Sequence, residues 1–264
     1  MSSYNHILVE FSSGVKEIAL NRPDKLNSFN AAMAAELLEC LQQAAGDAQV
    51  RCILLRGEGR GFCAGQDLMD VLPSDKNPKP DLGEVVKRQY NPIILAIRNA
   101  PKPVVCAVNG VAAGAGANLA FCCDIIVAAK EANFIQSFAK VGLIPDSAGT
   151  YFLPRLIGLQ RAAALTMLAD KISAEEACRL GLVHKVFEGD NLLPEARKIS
   201  AYLATQPTKG LALTKQAFNQ TFLNGLEEQL ALEEKLQREA GQSSDYQEGV
   251  RAFLEKRNPN FTGR

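Results

Sequence analysis

The chain has 264 residues, 47% of them apolar and only 6% aromatic, so a core has to be built from Ala, Val, Ile and Leu. Twenty-nine basic residues balance twenty-nine acidic ones, which excludes a global pull toward nucleic acid or an anionic membrane and leaves room only for a local basic patch. Seven Cys without a Cys-x-x-Cys pair read as free, mostly buried thiols, and the two His, His6 and His184, lie too far apart for a zinc site.

Ile7 to Phe11 and Val15 to Leu20 read as strands joined at Ser12-Ser13-Gly14, a hairpin signal. Asn27 to Asn30 offer caps for a helix over Ala31 to Gln43. Cys52 to Arg56 is a buried strand running into the glycine-rich stretch 57–65. Residues 73–81 hold three Pro and read as a flexible loop. A helix is expected over Leu82 to Asn99, kinked or interrupted at Pro92 and ended by Pro101 and Pro103. Val104 to Val108 and Asp124 to Ala128 are further strands, with an apolar helix over Ala117 to Cys122 between them. Strand, glycine turn and helix thus recur, which argues for α/β architecture. From Leu192 onward the pattern is helical, and Leu226, Leu230 and Leu236 form one apolar stripe suited to a core or a partner subunit. No segment has the form of a signal peptide, and no run reaches the roughly eighteen apolar residues of a membrane helix, so a cytosolic protein is expected.

Three places offer chemistry. Asp146 lies among apolar and small residues in Gly142-Leu143-Ile144-Pro145-Asp146-Ser147-Ala148-Gly149. A carboxylate so placed loses hydration and holds its proton more tightly, which suits a general base; the alternative is a cap for a helix starting at Ser147. The turns Ala64-Gly65-Gln66-Asp67 and Gly114-Ala115-Gly116 can each present a backbone N–H, and two such groups aimed at one point make an oxyanion hole for an enolate. The alternative is a dinucleotide loop or plain tight turns, but Gly57-x-Gly59-x-Gly61 lacks the G-x-G-x-x-G spacing and a Walker A motif is absent. Lys102 and Lys140 read as surface charges, and His184 as a structural residue at a strand end.

Taken together, Asn21-Arg22-Pro23 to Asn30, Gly61 to Leu68, Pro103 to Asp124, Gly142 to Asp146 and Gly181-Leu182-Val183 resemble the crotonase family, also called the enoyl-CoA hydratase/isomerase superfamily, over essentially the whole chain. The resemblance implies a spiral of ββα units over residues 1–200 and a helical trimerisation region over 201–264. It implies an acyl-CoA ligand, a homotrimer or dimer of trimers, and no cofactor or metal beyond the CoA of the substrate. By motif position the oxyanion donors are the N–H groups of Gln66 and Ala115, the latter where the family usually has Gly. Ala64, Gly65, Asp67 and Leu68 surround the adenine, Gly114 belongs to the second turn, and Lys25, Phe253 and Lys256 contact CoA, with solvated charges or core contacts as the alternative. The two Glu that hydratases use to activate water fall at Asn118 and Phe138, which here line the substrate without an acid. An acid at position 146 is found in double-bond isomerases and a dehalogenase of the family.

Longer matches, at Leu26 to Asn30, Pro80 to Gly83, Tyr90 to Pro92, Cys106 to Ala117, Ser244 to Val250 and Phe261 to Gly263, resemble the branch that isomerises a ring-epoxidised aromatic acyl-CoA to an oxepin in phenylacetate degradation. Asp146 as acid/base is the implied role. Dienoyl-CoA isomerisation, hydration, thioester hydrolysis, a turnover-deficient CoA- or RNA-binding protein and a structural trimer are the competing readings.

Overall fold

The computed structural model describes residues 4–73 and 79–264, so most of the expected 73–81 loop lies outside the described residues. The chain opens as a hairpin of β1 (Ile7–Ser12) and β2 (Val15–Leu20). Ser13 and Gly14 turn it with φ of 49° and 79°, the positive pair that matches strand twist. Every later strand of this first sheet is parallel: β3 (Cys52–Gly57), β5 (Val104–Val108), β7 (Ile125–Ala129) and β10 (Lys185–Phe187), in the order β1-β2-β3-β5-β7-β10.

A second sheet holds β4 (Gly61–Cys63), β6 (Val111–Ala113), β8 (Asn133–Ile135) and β9 (Lys171–Ser173), the last antiparallel. Each long strand hands the chain through a short turn to a three-residue strand of this sheet: β3 to β4, β5 to β6, β7 to β8. The glycine-rich stretch 57–65 therefore contains β4, and β6 lies just before the Gly114 turn, both too short to show any period in sequence. A helical segment follows each pair, giving a spiral of ββα units. The long strands are buried along nearly their whole length, as parallel strands covered on both faces must be.

Helix α1 (Ala31–Gly46) is capped by Asn30, whose side chain accepts from Met33 N at 2.9 Å, and packs Met33, Leu37 and Leu41 into the core. The expected helix over 82–99 is continuous but not uniform. α2 (Leu82–Val85) leads into a π segment (Val86–Tyr90) and then α3 (Asn91–Asn99), with Pro92 in the first turn of α3. Pro92 has no N–H and crowds the preceding turn, and the wider π turn absorbs that mismatch in place of a break.

Helices α4 (Ala115–Phe121), α5 (Gly149–Ile157), α6 (Leu159–Leu168) and α7 (Ala174–Arg179) follow the later strands. Helix α8 (Gly189–Thr205) runs unbroken through residue 200 and packs back on β3, β5 and β7. Helices α9 (Thr208–Gln220), α10 (Leu226–Gly241) and α11 (Ser244–Leu254) complete the chain. Six of the seven thiols are buried and all are free, and no described helix is long and apolar enough to cross a membrane.

Lys102 is not a surface charge. It is 4% exposed, and its Nζ donates to the carbonyls of Ala44 (2.7 Å) and Asp47 (2.9 Å), closing the last turn of α1. Lys140 is exposed, as is His184, which stands one residue before β10 and donates its N–H to Ile126 O at 2.8 Å. Lys215 is the second buried lysine. Its Nζ reaches Ile97 O and Asp124 Oδ2, both at 2.7 Å, and Arg98 holds the other oxygen of Asp124 at 3.0 Å, so α9 is pinned to the parallel sheet through one carboxylate. Without the Lys215 ammonium the carbonyl of Ile97 loses this partner, while Asp124 keeps Arg98 and the Val104 N–H. Lys215→Ala is expected to lower the unfolding free energy by about 2 kcal/mol, read from the midpoint of urea denaturation. A change within the few tenths typical of surface positions would show that the contact does not anchor α9.

Candidate active site

Three segments meet where the two sheets abut. The first is the turn 64–68 that follows β4. Phe29 N donates to Gly65 O (2.7 Å) and Asp67 N to Phe29 O (2.8 Å), a parallel bridge that uses both backbone groups of Phe29 and turns the N–H of Gln66 to the opposite side. Gly65 has φ +90°, and a Cβ there would stand 2.9 Å from Ala113 O and 3.5 Å from Ala115 N, so only glycine lets this turn approach the second one. Ala64 N donates to Leu26 O at 2.9 Å, which brings the exposed Lys25 to the edge of the turn.

Asp67 is taken up internally. Its carboxylate receives Arg22 Nη2 at 2.9 Å and Met69 N at 3.2 Å, and its carbonyl accepts from the Gln66 amide at 3.1 Å, so it holds the turn instead of presenting a charge to a ligand. Leu68, 56% exposed, opens the short 3-10 helix Leu68–Asp70.

The second segment is the start of α4. The helix begins at Ala115, two residues earlier than its apolar pattern indicates, with Gly114 at the N-cap. Ala115 therefore carries one of the first-turn N–H groups that have no partner within the helix. Phe138, 7% exposed on the 3-10 segment Ser137–Val141, lies over Gly114: a Cβ on that glycine would sit 3.6 Å from the ring.

The third segment carries Asp146. It does not cap a helix starting at Ser147. α5 starts at Gly149 with Ala148 at its N-cap and no side-chain cap, and among the described residues the Asp146 carboxylate accepts only the Ser147 hydroxyl, at 2.8 Å. Burial pushes its pKa above the ordinary aspartate value, and the Ser147 hydrogen bond offsets part of that rise. Ser147 and Ala148 both lie in the left-handed region, with φ of 49° and 60°, a conformation costing L-residues about 1–2 kcal/mol each.

What keeps this strained loop in place is Asn118. Its Nδ2 donates to Asp146 O at 2.8 Å, and its Oδ1 accepts from Gln136 Nε2 at 2.8 Å. Asn118 is 1% exposed with both ends of its amide occupied, so it supports the Asp146 loop. Gly149 makes room: a Cβ there would lie 2.2 Å from Asn118 Nδ2. Gln136, and Tyr90, whose hydroxyl donates to Gln66 Oε1 at 2.5 Å beside the first segment, are the neighbours that sequence reasoning passed over.

Phe253 and Lys256 stand elsewhere. Phe253 is 82% exposed on α11, beside a groove of about 440 Å³ that Tyr246, Val250 and Phe261 also line. Among the described residues no hydrogen bond or ion pair joins Phe253 or Lys256 to the turn 64–68, and no three His, Cys, Asp or Glu side chains are grouped to hold a metal.

A family model described as Enoyl-CoA hydratase/isomerase matches residues 10–264. A 1,2-epoxyphenylacetyl-CoA isomerase of Escherichia coli is 52% identical over 258 residues, 98% of each chain. A Rhodobacter capsulatus protein named a probable enoyl-CoA hydratase is 47% identical, covering 99% of this chain and 100% of its own. The crystal structure of an enoyl-CoA hydratase from Bacillus anthracis superposes with a TM-score of 0.92 at 32% identity, over 98% of this chain and 100% of that one.

The contact between Asn118 and Gly149 can be tested on stability alone. Asn118→Ala leaves the buried Gln136 amide unpaired and is expected to cost about 1–3 kcal/mol. Gly149→Ala forces a Cβ into the Asn118 amide and is expected to cost about 3 kcal/mol. With the amide gone the clash is relieved, so the double variant should fall short of the summed loss by at least about 1 kcal/mol in urea denaturation. Strict additivity would mean that Asn118 and Gly149 do not share this space.

Proposed function

The chain belongs to the enoyl-CoA hydratase/isomerase family, and from that premise we propose that it is an acyl-CoA isomerase. It converts ring 1,2-epoxyphenylacetyl-CoA to the oxepin thioester and moves the double bond of 3-enoyl-CoA to position 2. The observation that carries this reading is Asp146: of the three family positions where an acid does chemistry, 118, 138 and 146, only the last is acidic, and its surroundings raise its pKa.

In the proposed mechanism the thioester oxygen accepts the N–H groups of Gln66 and Ala115. One oxyanion donor is worth about 3 kcal/mol in other enzymes. Asp146 takes a proton from the carbon beside the carbonyl, the charge spreads over the enolate, and the same carboxyl returns the proton two carbons along. Nothing is gained or lost, so one carboxylate suffices. Ring expansion of the epoxide likewise leaves composition unchanged, and Asp146 assists it by the same transfer. Phe138, set over Gly114, keeps water from the enolate.

The CoA moiety is proposed to lie along the backbone of Ala64 to Leu68 with Lys25 at its edge. Phe253 and Lys256 would complete a CoA site through assembly. Helices α9 to α11 are proposed as the oligomerisation region of a homotrimer or dimer of trimers. Phe218, Phe222, Leu226 and Phe253 support this, being more than 60% exposed on one chain. The same premises favour a cytoplasmic enzyme of phenylacetate catabolism that acts without a further cofactor.

Hydration is the second reading, favoured by the name of the Rhodobacter capsulatus relative. It lacks a pair of carboxylates to hold and activate water, since positions 118 and 138 are Asn and Phe. Product analysis on ring 1,2-epoxyphenylacetyl-CoA, 3-enoyl-CoA and 2-enoyl-CoA separates the readings: oxepin and 2-enoyl products support isomerisation, and a 3-hydroxyacyl product as the main outcome refutes it.

The raised pKa fixes a pH dependence. A general base works deprotonated, so the acid limb of kcat/KM should lie above the ordinary aspartate value of 3.8. For stability the sign is opposite to that of a salt-bridged carboxylate: a carboxyl whose folded pKa is raised costs stability as pH climbs through that pKa. Asp146→Asn should therefore fold at least as stably as wild type at pH 7 while losing about 10²-fold or more in kcat. An Asn variant that binds acyl-CoA and turns over at the wild-type rate would remove Asp146 from the mechanism.

A further inference from the structure

Tyr90 is a buried hydroxyl that the reaction scheme leaves unused. It ends the π segment Val86–Tyr90 and is 4% exposed. Its hydroxyl donates to Gln66 Oε1 at 2.5 Å. The other end of that amide, Nε2, donates to Phe29 O at 3.2 Å and Asp67 O at 3.1 Å. The Tyr90 ring meets Phe29 edge-on, centroids 5.7 Å apart, so phenol and amide are both held.

The Gln66 side chain is therefore spent within the protein, and its backbone N–H lies on the side of the bridge away from Phe29. The residue before it, Gly65 at φ +90°, is the least restrained kind of backbone hinge. The peptide plane that follows this hinge is held at its carbonyl, where Phe29 N donates to Gly65 O at 2.7 Å. The Gln66 side chain is a second hold, with Nε2 on Phe29 O and Asp67 O, and Tyr90 is the side chain that donates to its oxygen.

We propose that Tyr90 is a positioning residue for the thioester-binding turn: through the Gln66 amide it fixes the direction in which the Gln66 N–H points. The inference rests on the isomerase reading above, in which that N–H receives the thioester oxygen. It gives the π segment a purpose, since one residue more or less in that turn would rotate Tyr90 away from Gln66.

The test uses Tyr90→Phe, which keeps the ring and removes the hydroxyl, together with Gln66→Leu, which keeps Tyr90 and removes its partner. The probe is cinnamoyl-CoA, a conjugated thioester with no proton at C4 to move. Its absorption shifts to the red when its carbonyl is polarised. Wild type and Asp146→Asn should both show the shift, the latter without turnover on 3-enoyl-CoA. Tyr90→Phe should show a smaller shift and a roughly tenfold lower kcat at nearly unchanged KM, the pattern of an interaction made in the transition state. Gln66→Leu should show the same losses, and the double variant should be no worse than either single one.

Should either variant fold poorly, the other carries the test. The proposal is overturned if folded Tyr90→Phe or Gln66→Leu keeps the wild-type shift and kcat, or if the double variant multiplies the two losses. A wild type without any shift, yet still losing turnover in Asp146→Asn, would refute the oxyanion hole and with it the role of Tyr90, while leaving the isomerase reading standing.

Discussion

The hydrogen bond from the Asn118 amide to the carbonyl of Asp146 is the constraint on which the site depends. Two residues in succession, Ser147 and Ala148, sit in a backbone region unfavourable to L-residues. Left alone, such a loop would relax and carry the carboxylate with it. Asn118 prevents that from within the second turn of α4, and Gln136, on the far side, keeps the amide from rotating. The carboxylate is thereby set by the same helix whose first N–H, at Ala115, faces the 64–68 turn. In the proposed mechanism base and carbonyl-binding group are thus fixed relative to each other by one rigid element, which is what a proton transfer beside a carbonyl requires.

The two sheets explain why these segments meet at all. Each unit of the spiral leaves the first sheet, crosses to the second and then turns. Successive crossings therefore stack the turns after β4 and β6 one above the other, as the register of Gly61 with Val111 and of Cys63 with Ala112 shows. Close packing between them is enforced by small residues. A Cβ on Gly116 would lie 2.3 Å from Cys63 O, and one on Gly110 would lie 2.1 Å from Arg60 O. The charge balance of the surface plays little part in this. The buried ions that matter, Lys102 and Lys215, fasten helices to carbonyls and to Asp124.

The parallel strands, the hairpin and α1 were legible because their apolar runs and caps are local signals, and the Gly65 and Gly114 turns were legible because glycine marks where backbone must come close. Other features were not. β4 and β6 are three residues long and leave no period. The π segment arises from a conflict between Pro92 and helix continuity, which sequence shows as a break. Lys102 looked exposed because a lysine between two prolines reads as a loop, and only the folded chain reveals that the last turn of α1 lies over it. The hydrogen-bond partners of Asn118, Gln136 and the carbonyl of Asp146, are far off in sequence, and nothing local announces them.

Position 118 also bears on why this site moves a proton instead of adding water. The ionised carboxylate of a Glu there has no N–H to give the carbonyl of Asp146, which the amide now reaches at 2.8 Å. A Glu at 118 would thus remove the hydrogen bond that holds the present course of the Asp146 loop. Phe138 lies over Gly114 and adds an apolar wall beside the second turn. In the proposed mechanism an enolate formed there has Asp146 as its proton source, and the outcome is decided by where along the allyl unit that proton returns.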